Sequence, residues 1–306
     1  MPRHISLIFP GQGSQSLGML NSFSEDELDN VSKISKEVLD IDIVDCIKNG
    51  PEAELNKTSI TQPALLIASY LYYKKFLDLF DITPNLLAGH SLGEYSALLA
   101  SNSINIDDAI SLVHKRGKFM ENSQKGSMFA ILNLDLKEIN QICMVAEEET
   151  GQVISPANIN SPNQVVIAGS DEAAKIAAER CKEAGAKRCI QLKVSVASHC
   201  NLMDEAASIF KKELDEHKFN TPEIPIVHNV DAKVEEDATN IPKKLLEQLT
   251  LPVQWTETMK YIKTFDGIVI ECGPGKVLSG LAKTNGLDNI LSMSSEVFED
   301  DLKGLL

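Results

Sequence analysis

The sequence lacks the features that mark secreted, membrane-spanning and metal-binding proteins. Its 306 residues include six cysteines but no Cys-x-x-Cys pair, and no His or Cys residues stand at the spacing of metal ligands. The first apolar run, Ile5 to Phe9, ends at a proline, so neither a signal peptide nor a membrane span is expected. We therefore expect a cytoplasmic protein with reduced thiols, no metal and no membrane partner.

Positive charge is also scarce. The chain has 29 Lys and Arg residues against 44 Asp and Glu residues, which gives a formal net charge of −15. No tract rich in Lys or Arg offsets this field, so a nucleic-acid partner is not expected. An anionic ligand would need a local basic patch.

The order of apolar and periodic segments predicts an α/β fold in two parts. Residues 125–195 have the order β, α, β, β, α, β of a ferredoxin-like α+β domain. Residues 1–124 and 196–306 alternate strands with helices, which indicates one large domain with a parallel sheet made from both ends of the chain. Strands are predicted at about 5–9, 85–89, 127–134, 153–160, 164–168, 188–196, 226–229 and 267–272, and helices at about 25–47, 63–80, 94–101, 107–122, 137–150, 172–183, 201–216 and 243–249.

A nucleophile motif lies between a predicted strand and a predicted helix. Residues 89–93 read Gly-His-Ser-Leu-Gly, and glycines on both sides of a serine allow the sharp turn that pushes the hydroxyl outward. The N-terminus of the following helix favours a developing oxyanion. The pattern predicts that Ser91 is a nucleophile.

A serine nucleophile needs a base, and His199 is the best candidate among six histidines. It lies where a predicted strand ends and a helix begins, in the chain that returns from the small domain. His90 adjoins Ser91 but is expected to point away from the hydroxyl. Acidic residues between Ser91 and His199 mostly lie on helices or in the small domain, so a Ser–His dyad oriented by a neutral carbonyl is predicted.

Two further segments allow more than one interpretation. Arg116 lies among the charged residues Lys115 and Lys118, and this pattern favours a surface cation, although its planar fork could also hold a carboxylate. The segment 10–15, Pro-Gly-Gln-Gly-Ser-Gln, lacks the third glycine of a dinucleotide loop. It could instead present a backbone N–H to an oxyanion.

Taken together, these motifs resemble the malonyl-CoA:acyl-carrier-protein transacylases of fatty-acid synthesis, in order and spacing from residue 5 to about residue 285. The matching segments are Phe9-Pro-Gly-Gln-Gly-Ser-Gln15, Thr61-Gln-Pro-Ala64, Gly89-His-Ser-Leu-Gly-Glu94, Arg116-Gly-Lys, Asn158-Ile-Asn-Ser-Pro162, Ser198-His199, Pro252-Val-Gln-Trp255 and Glu271-Cys-Gly-Pro-Gly-Lys276.

The resemblance implies a hydrolase-like large domain and a role for six residues. It implies that Ser91 is the nucleophile, that His199 is the base and that the backbone carbonyl of Gln248 orients the imidazole. It also implies that Arg116 pairs with the malonyl carboxylate, in contrast to the surface interpretation. The backbone N–H groups of Gln12 and Leu92 are then the expected oxyanion hole.

The implied partners are malonyl-CoA and an acyl carrier protein, with no cofactor, and an acyl-serine intermediate with ping-pong kinetics. Three alternatives remain: a polyketide-synthesis acyltransferase that uses methylmalonyl-CoA, a serine thioesterase, and a catalytically silent docking subunit. The Ala-Ser-His ending at residues 197–199 is the reason to keep the methylmalonyl alternative.

Because both partners are anionic, a basic rim is predicted near the cleft, from Lys115, Lys118, Lys187, Arg188 and Lys276.

Overall fold

The computed structural model describes residues 3–194 and 196–306, and its larger sheet is parallel. Five strands form it: β1 (Ile5–Phe9), β2 (Leu86–Gly89), β7 (Ile226–Val227), β8 (Ile268–Glu271) and β9 (Ile290–Ser292). Their order is β7-β2-β1-β8-β9, and each pair is parallel. The residues of β1, β2 and β8 are all buried, as expected for strands covered on both faces. The predicted parallel sheet, made from both ends of the chain, is confirmed.

The strands in the middle of the chain, between the segments that form the parallel sheet, make a second, antiparallel sheet. It consists of β3 (Ser127–Leu132), β4 (Ile154–Ser161), β5 (Gln164–Gly169) and β6 (Arg188–Gln191), in the order β4-β5-β3-β6. Helices α7 (Leu136–Thr150) and α8 (Asp171–Glu183) pack with it around a separate apolar core. This is the predicted ferredoxin-like arrangement. The division of the chain at residues 125 and 195 into domains stays a prediction.

The remaining helices belong to the two parts of the chain that form the parallel sheet. They are α1 (Glu25–Leu39), α2 (Ile43–Asn49), α3 (Glu52–Leu55), α4 (Thr58–Phe80), α5 (Gly93–Ala100), α6 (Ile106–Glu121), α9 (Asp204–Glu216), α10 (Ile241–Thr250), α11 (Trp255–Lys263), α12 (Val277–Thr284) and α13 (Phe298–Leu305). Most residues of α4 are buried, so this is a core helix. Within the described residues, none of the helices combines the length and apolar character needed to cross a bilayer.

The predicted helix over residues 25–47 is wrong, because the structure has two helices there. Asp40 has a left-handed backbone with φ 58° and ends α1. The side chain of Asp42 then accepts from the backbone N–H of Asp45 and begins α2. The charge pattern continues across the break, so helical periodicity could not locate it.

Two boundaries differ from the prediction by five residues. Helix α4 begins at Thr58, five residues before Pro63. A proline cannot donate to the carbonyl four residues earlier, and the Ser59 carbonyl accepts instead from His114 Nδ1 at 2.8 Å. Strand β6 ends at Gln191, which lies opposite Phe129 of β3, instead of continuing to residue 196. Residue 195 lies outside the described residues.

Candidate active site

Ser91 stands on a tight turn between β2 and α5. Its backbone has φ 52°, a left-handed conformation that is uncommon for a residue with a side chain. A Cβ atom on Gly89 would lie 1.9 Å from the carbonyl carbon of Gly93, and one on Gly93 would lie 2.0 Å from the Phe9 carbonyl oxygen. Only glycine fits at these two positions, so the predicted elbow is present.

The side chain of Asn229, two residues after β7, bonds to the backbone of this turn. Its Oδ1 accepts from the Ser91 backbone N–H at 2.7 Å, and its Nδ2 donates to the Gly89 carbonyl at 2.6 Å. One buried side chain therefore bonds to the backbone on both sides of the elbow. Asn229 was not among the predicted site residues, because a residue 138 positions from Ser91 gives no local signal.

His199 contacts the hydroxyl of Ser91. Ser91 Oγ lies 2.8 Å from His199 Nε2, and His199 Nδ1 donates to the Gln248 backbone carbonyl at 2.6 Å. Because a carbonyl oxygen only accepts, Nδ1 carries the hydrogen and Nε2 is free to accept from the hydroxyl. The structure therefore brings together Ser91 and His199, the predicted dyad, and the Gln248 carbonyl that was predicted to orient the imidazole.

The imidazole of His199 is kept neutral by its surroundings. Burial, followed by the positive charge of Arg116, lowers the pKa of His199 to about 3. Both effects disfavour the imidazolium form. At neutral pH the residue is therefore present as the base form.

Arg116 is buried, so the surface interpretation suggested by its charged neighbours is wrong. It is 1% exposed, and its Nη1 donates to Gln62 Oε1 at 3.0 Å while its Nη2 donates to Gln248 Oε1 at 2.8 Å. Nη2 also lies 3.4 Å from Ser91 Oγ. Each terminal nitrogen carries two hydrogens. Nη1 therefore keeps one hydrogen free, and the second hydrogen of Nη2 makes only the long bond to Ser91 Oγ, which a carboxylate beside Ser91 could replace.

These groups face one cleft of about 550 Å³. Gln12 and Leu92 belong to its wall, beside Ser91. Across the described residues, the backbone N–H groups of Gln12 and Leu92 have no hydrogen-bond acceptor, which leaves them available to an oxyanion. The cleft is also lined by Met120, Met128, Asn158, Leu192, Val194, Val196 and Ser198.

The other histidines have separate partners. His90 Nε2 donates to Asn160 Oδ1 at 2.9 Å, so it points away from the hydroxyl as expected. His114 bonds to the Ser59 carbonyl and His217 to the Glu213 carbonyl. His228 Nδ1 donates to Glu94 Oε1 at 2.6 Å. His199 is therefore the one histidine bonded to Ser91 within residues 3–194 and 196–306.

Two members of the predicted basic rim have other surroundings. Lys115 Nζ pairs with Glu213 at 2.5 Å, and Lys276 lines a different cavity together with Lys283. Lys118, Lys187 and Arg188 are exposed. The rim stays a prediction that now rests on these three residues.

The fold and the site together define a class: an α/β protein with a serine on an elbow, a histidine bonded to its hydroxyl and a buried arginine beside that hydroxyl. Residues 6–296 match the acyl transferase domain family. The chain belongs to that family.

Known relatives agree in length and in fold. A Haemophilus influenzae protein named malonyl CoA-acyl carrier protein transacylase is 45% identical over 289 residues, which cover 92% of each chain. The malonyl CoA-acyl carrier protein transacylase of Coxiella burnetii has a solved structure with a TM-score of 0.94 and 37% identity, over 100% of this chain and 98% of that chain. A malonyl-transacylase solved in complex with a type II PKS acyl-carrier protein has a TM-score of 0.91 and 41% identity, over 99% of both chains.

Proposed function

We propose that this enzyme transfers the malonyl group of malonyl-CoA to the phosphopantetheine thiol of an acyl carrier protein. The observation that carries the proposal is Arg116 Nη2, which lies 3.4 Å from Ser91 Oγ inside the cleft. A fixed guanidinium next to the nucleophile suits an acyl group that ends in a carboxylate. Fatty-acid synthesis in the cytoplasm is the proposed setting, and the proposed steps need no metal or redox cofactor.

The first half-reaction forms an acyl-serine. The malonyl carboxylate accepts from Nη1 and Nη2 of Arg116 and replaces the long bond from Nη2 to Ser91 Oγ, which places the thioester carbonyl at Ser91 Oγ. Ser91 attacks this carbonyl carbon as His199 Nε2 takes the hydroxyl proton, and the Gln248 carbonyl stabilises the imidazolium at Nδ1. The backbone N–H groups of Gln12 and Leu92 hold the oxyanion. CoA leaves as its thiol after receiving the proton from His199.

The second half-reaction reverses these roles. The carrier thiol gives its proton to His199 and attacks the ester carbonyl, and Ser91 recovers its hydroxyl when the tetrahedral intermediate collapses. The carboxylate of the bound malonyl group also offsets the Arg116 charge that lowers the pKa of His199. The pKa of His199 therefore rises when substrate is present, and the residue becomes a stronger base. Ping-pong kinetics follow from the shared acyl-serine.

The alternatives are less well supported. A thioesterase would use water as the acceptor and needs no buried arginine beside the nucleophile. A methylmalonyl enzyme would use the same residues, so the geometry of Ser91, His199 and Arg116 does not favour it over malonyl. A silent docking subunit would not need the bonded Ser91 and His199 pair.

The test is the intact mass of the protein after mixing with malonyl-CoA and then with a phosphopantetheinylated carrier protein. Wild type should gain one malonyl group and then pass it to the carrier. Ser91→Ala should gain none, because the nucleophile is absent. Ser96→Ala is the control, since Ser96 is a buried serine on α5, the helix that follows the Ser91 turn. Arg116→Ala should react at least about tenfold more slowly, since a charged hydrogen-bond partner is lost.

Two results would contradict the proposal. Rapid release of CoA without malonylated carrier would mean that water is the acceptor, and the enzyme would be a thioesterase. An adduct that also forms on Ser91→Ala would place the nucleophile elsewhere.

A further inference from the structure

Glu94 is a buried carboxylate that the proposed steps do not use. It is 0% exposed, and three donors converge on it. Its Oε1 accepts from His228 Nδ1 at 2.6 Å, and its Oε2 accepts from the Asn229 backbone N–H at 3.1 Å and from Gln248 Nε2 at 2.7 Å. A buried carboxyl group is costly unless it is fully hydrogen-bonded, so this arrangement calls for a physical reason.

The bond from Gln248 to Glu94 decides how the Gln248 amide is oriented. Gln248 Nε2 donates to Glu94 and, at 3.0 Å, to the Ser91 carbonyl, while its Oε1 accepts from Arg116 Nη2. A guanidinium has donors only, and a carboxylate surrounded by donors has acceptors only. A rotated amide would set donor against donor at Arg116 and acceptor against acceptor at Glu94. Glu94 therefore selects the amide orientation that binds Arg116.

We infer that Glu94 is a positioning residue for the arginine anchor, and that it acts through the side chain of Gln248. This inference rests on the proposed function. It assigns the enzyme's preference for acyl groups that carry a carboxylate to the contacts that orient Arg116. With Gln62 on Nη1 and Gln248 on Nη2, the guanidinium plane is held at two points. Without the Gln248 contact, Nη2 keeps only its long bond to Ser91 Oγ at 3.4 Å. The plane can then rotate, and Nη1 and Nη2 no longer face the acyl carboxylate together.

The consequence is specific to acyl groups that carry a carboxylate. Malonyl-CoA presents such a group to Arg116, whereas acetyl-CoA does not. Loss of the Glu94–Gln248 bond should therefore reduce the reaction of Ser91 with malonyl-CoA much more than its reaction with acetyl-CoA. A general packing defect would reduce both equally.

The experiment measures kcat/KM for acylation of Ser91 by malonyl-CoA and by millimolar acetyl-CoA, followed by intact mass. Glu94→Met and Gln248→Met keep the length of the side chain and remove its hydrogen bonds, and the main-chain carbonyl of residue 248 is retained. Each should lower the malonyl-to-acetyl ratio at least tenfold. The malonyl-to-acetyl ratio of the double variant should fall no further than that of either single variant, because the two residues act through one bond.

Two controls separate positioning from structure. Glu94→Gln keeps an oxygen for Gln248 and Asn229, and His228 can accept at Nδ1 in its other tautomer, so the malonyl preference should be retained. Glu271 is the matched buried carboxylate: it is 0% exposed and accepts from the backbone N–H groups of Leu278 and Ser279, away from the cleft. Glu271→Met should lower the unfolding temperature without changing the ratio.

Additive losses in the malonyl reaction, or equal losses with both acyl groups, would overturn the inference. If Glu94→Met does not fold, Glu94→Asp replaces it, since a side chain shorter by one methylene cannot reach Gln248 and His228 together. A wild-type protein that forms no malonyl adduct would instead refute the proposed function. An unchanged ratio in a folded Glu94→Met or Glu94→Asp variant would refute the positioning role alone.

Discussion

His199 combines an unusual backbone with an unusual side-chain environment. Its φ is 62°, and its backbone N–H donates to the Leu249 carbonyl at 3.0 Å while its ring bonds to the Gln248 carbonyl. The end of α10 therefore fixes both the main chain and the imidazole. A neutral carbonyl orients the ring without adding a negative charge. Its hydrogen bond raises the pKa of His199, but burial and the charge of Arg116 lower the pKa by more.

This environment predicts the pH dependence of acylation. Because the pKa of His199 is lowered to about 3, the free enzyme should stay in its base form throughout the range in which an ordinary histidine titrates. We expect kcat/KM for malonyl-CoA to be level from about pH 8 down to about pH 5, with any acid limb well below 6.5, the ordinary pKa of histidine. Stopped-flow release of CoA measures it. An acid limb of the kcat/KM profile centred near pH 6.5 would contradict the expectation that burial lowers the pKa of His199.

The elbow is an element whose shape depends on contacts between backbones. Gly93, the first residue of α5, packs directly against the Phe9 carbonyl at the end of β1. The helix, the turn and the central strand are thus held together without side chains between them. This close approach lets the N-terminus of α5 reach the cleft.

Substitution of two helical glycines should have opposite effects. Gly93→Ala places a Cβ atom 2.0 Å from the Phe9 carbonyl oxygen, so we expect a loss of about 3 kcal/mol in the free energy of unfolding, or failure to fold. Gly280→Ala, inside α12, meets no atom within 4 Å and should add about 0.5–1 kcal/mol. Urea unfolding followed by circular dichroism measures both. Equal stability of the two variants would show that the elbow can relax.

The elements with a local signal were predicted, and those without one were not. The glycines, the apolar strand and the following helix predict the elbow from adjacent residues alone. Helices α11, α12 and α13 and strand β9 were not predicted, and the break at Asp40 was missed. Their boundaries depend on what each segment packs against, which periodicity does not report.

The charge of the whole molecule opposes its partners. A net charge of −15 repels both CoA and an acidic carrier protein, so efficient transfer requires a local positive surface. Lys118, Lys187 and Arg188 are the exposed candidates. Strand β6 begins at Arg188 and leads to Leu192 and Val194 in the cleft wall, which places Lys187 and Arg188 on a segment that borders the site.

Salt should therefore weaken transfer to the carrier protein but not to free pantetheine. Between about 0.05 and about 0.5 M NaCl we expect KM for the carrier to rise at least fivefold, because screening removes the attraction of the rim. Transfer to free pantetheine, an uncharged acceptor, is the control and should be unaffected. A double variant Lys187→Glu and Arg188→Glu should have a raised KM already at low salt.

The opposite sign of the salt effect would be informative. If salt lowers KM for the carrier, net repulsion dominates and the rim does not guide the encounter. The carrier would then bind through apolar contacts.

The sequence by itself determined the α/β class, the elbow and the pairing of a serine with one histidine, because these depend on local order and on motifs. Only the tertiary structure decided that Arg116 is buried against Gln62 and Gln248, and that Glu94 and Asn229 support the site. Neighbouring lysines suggested a surface position for Arg116, and its actual partners lie 54 and 132 residues away. Burial and long-range hydrogen bonds result from how the two sheets and their helices pack, which no segment of the chain specifies alone.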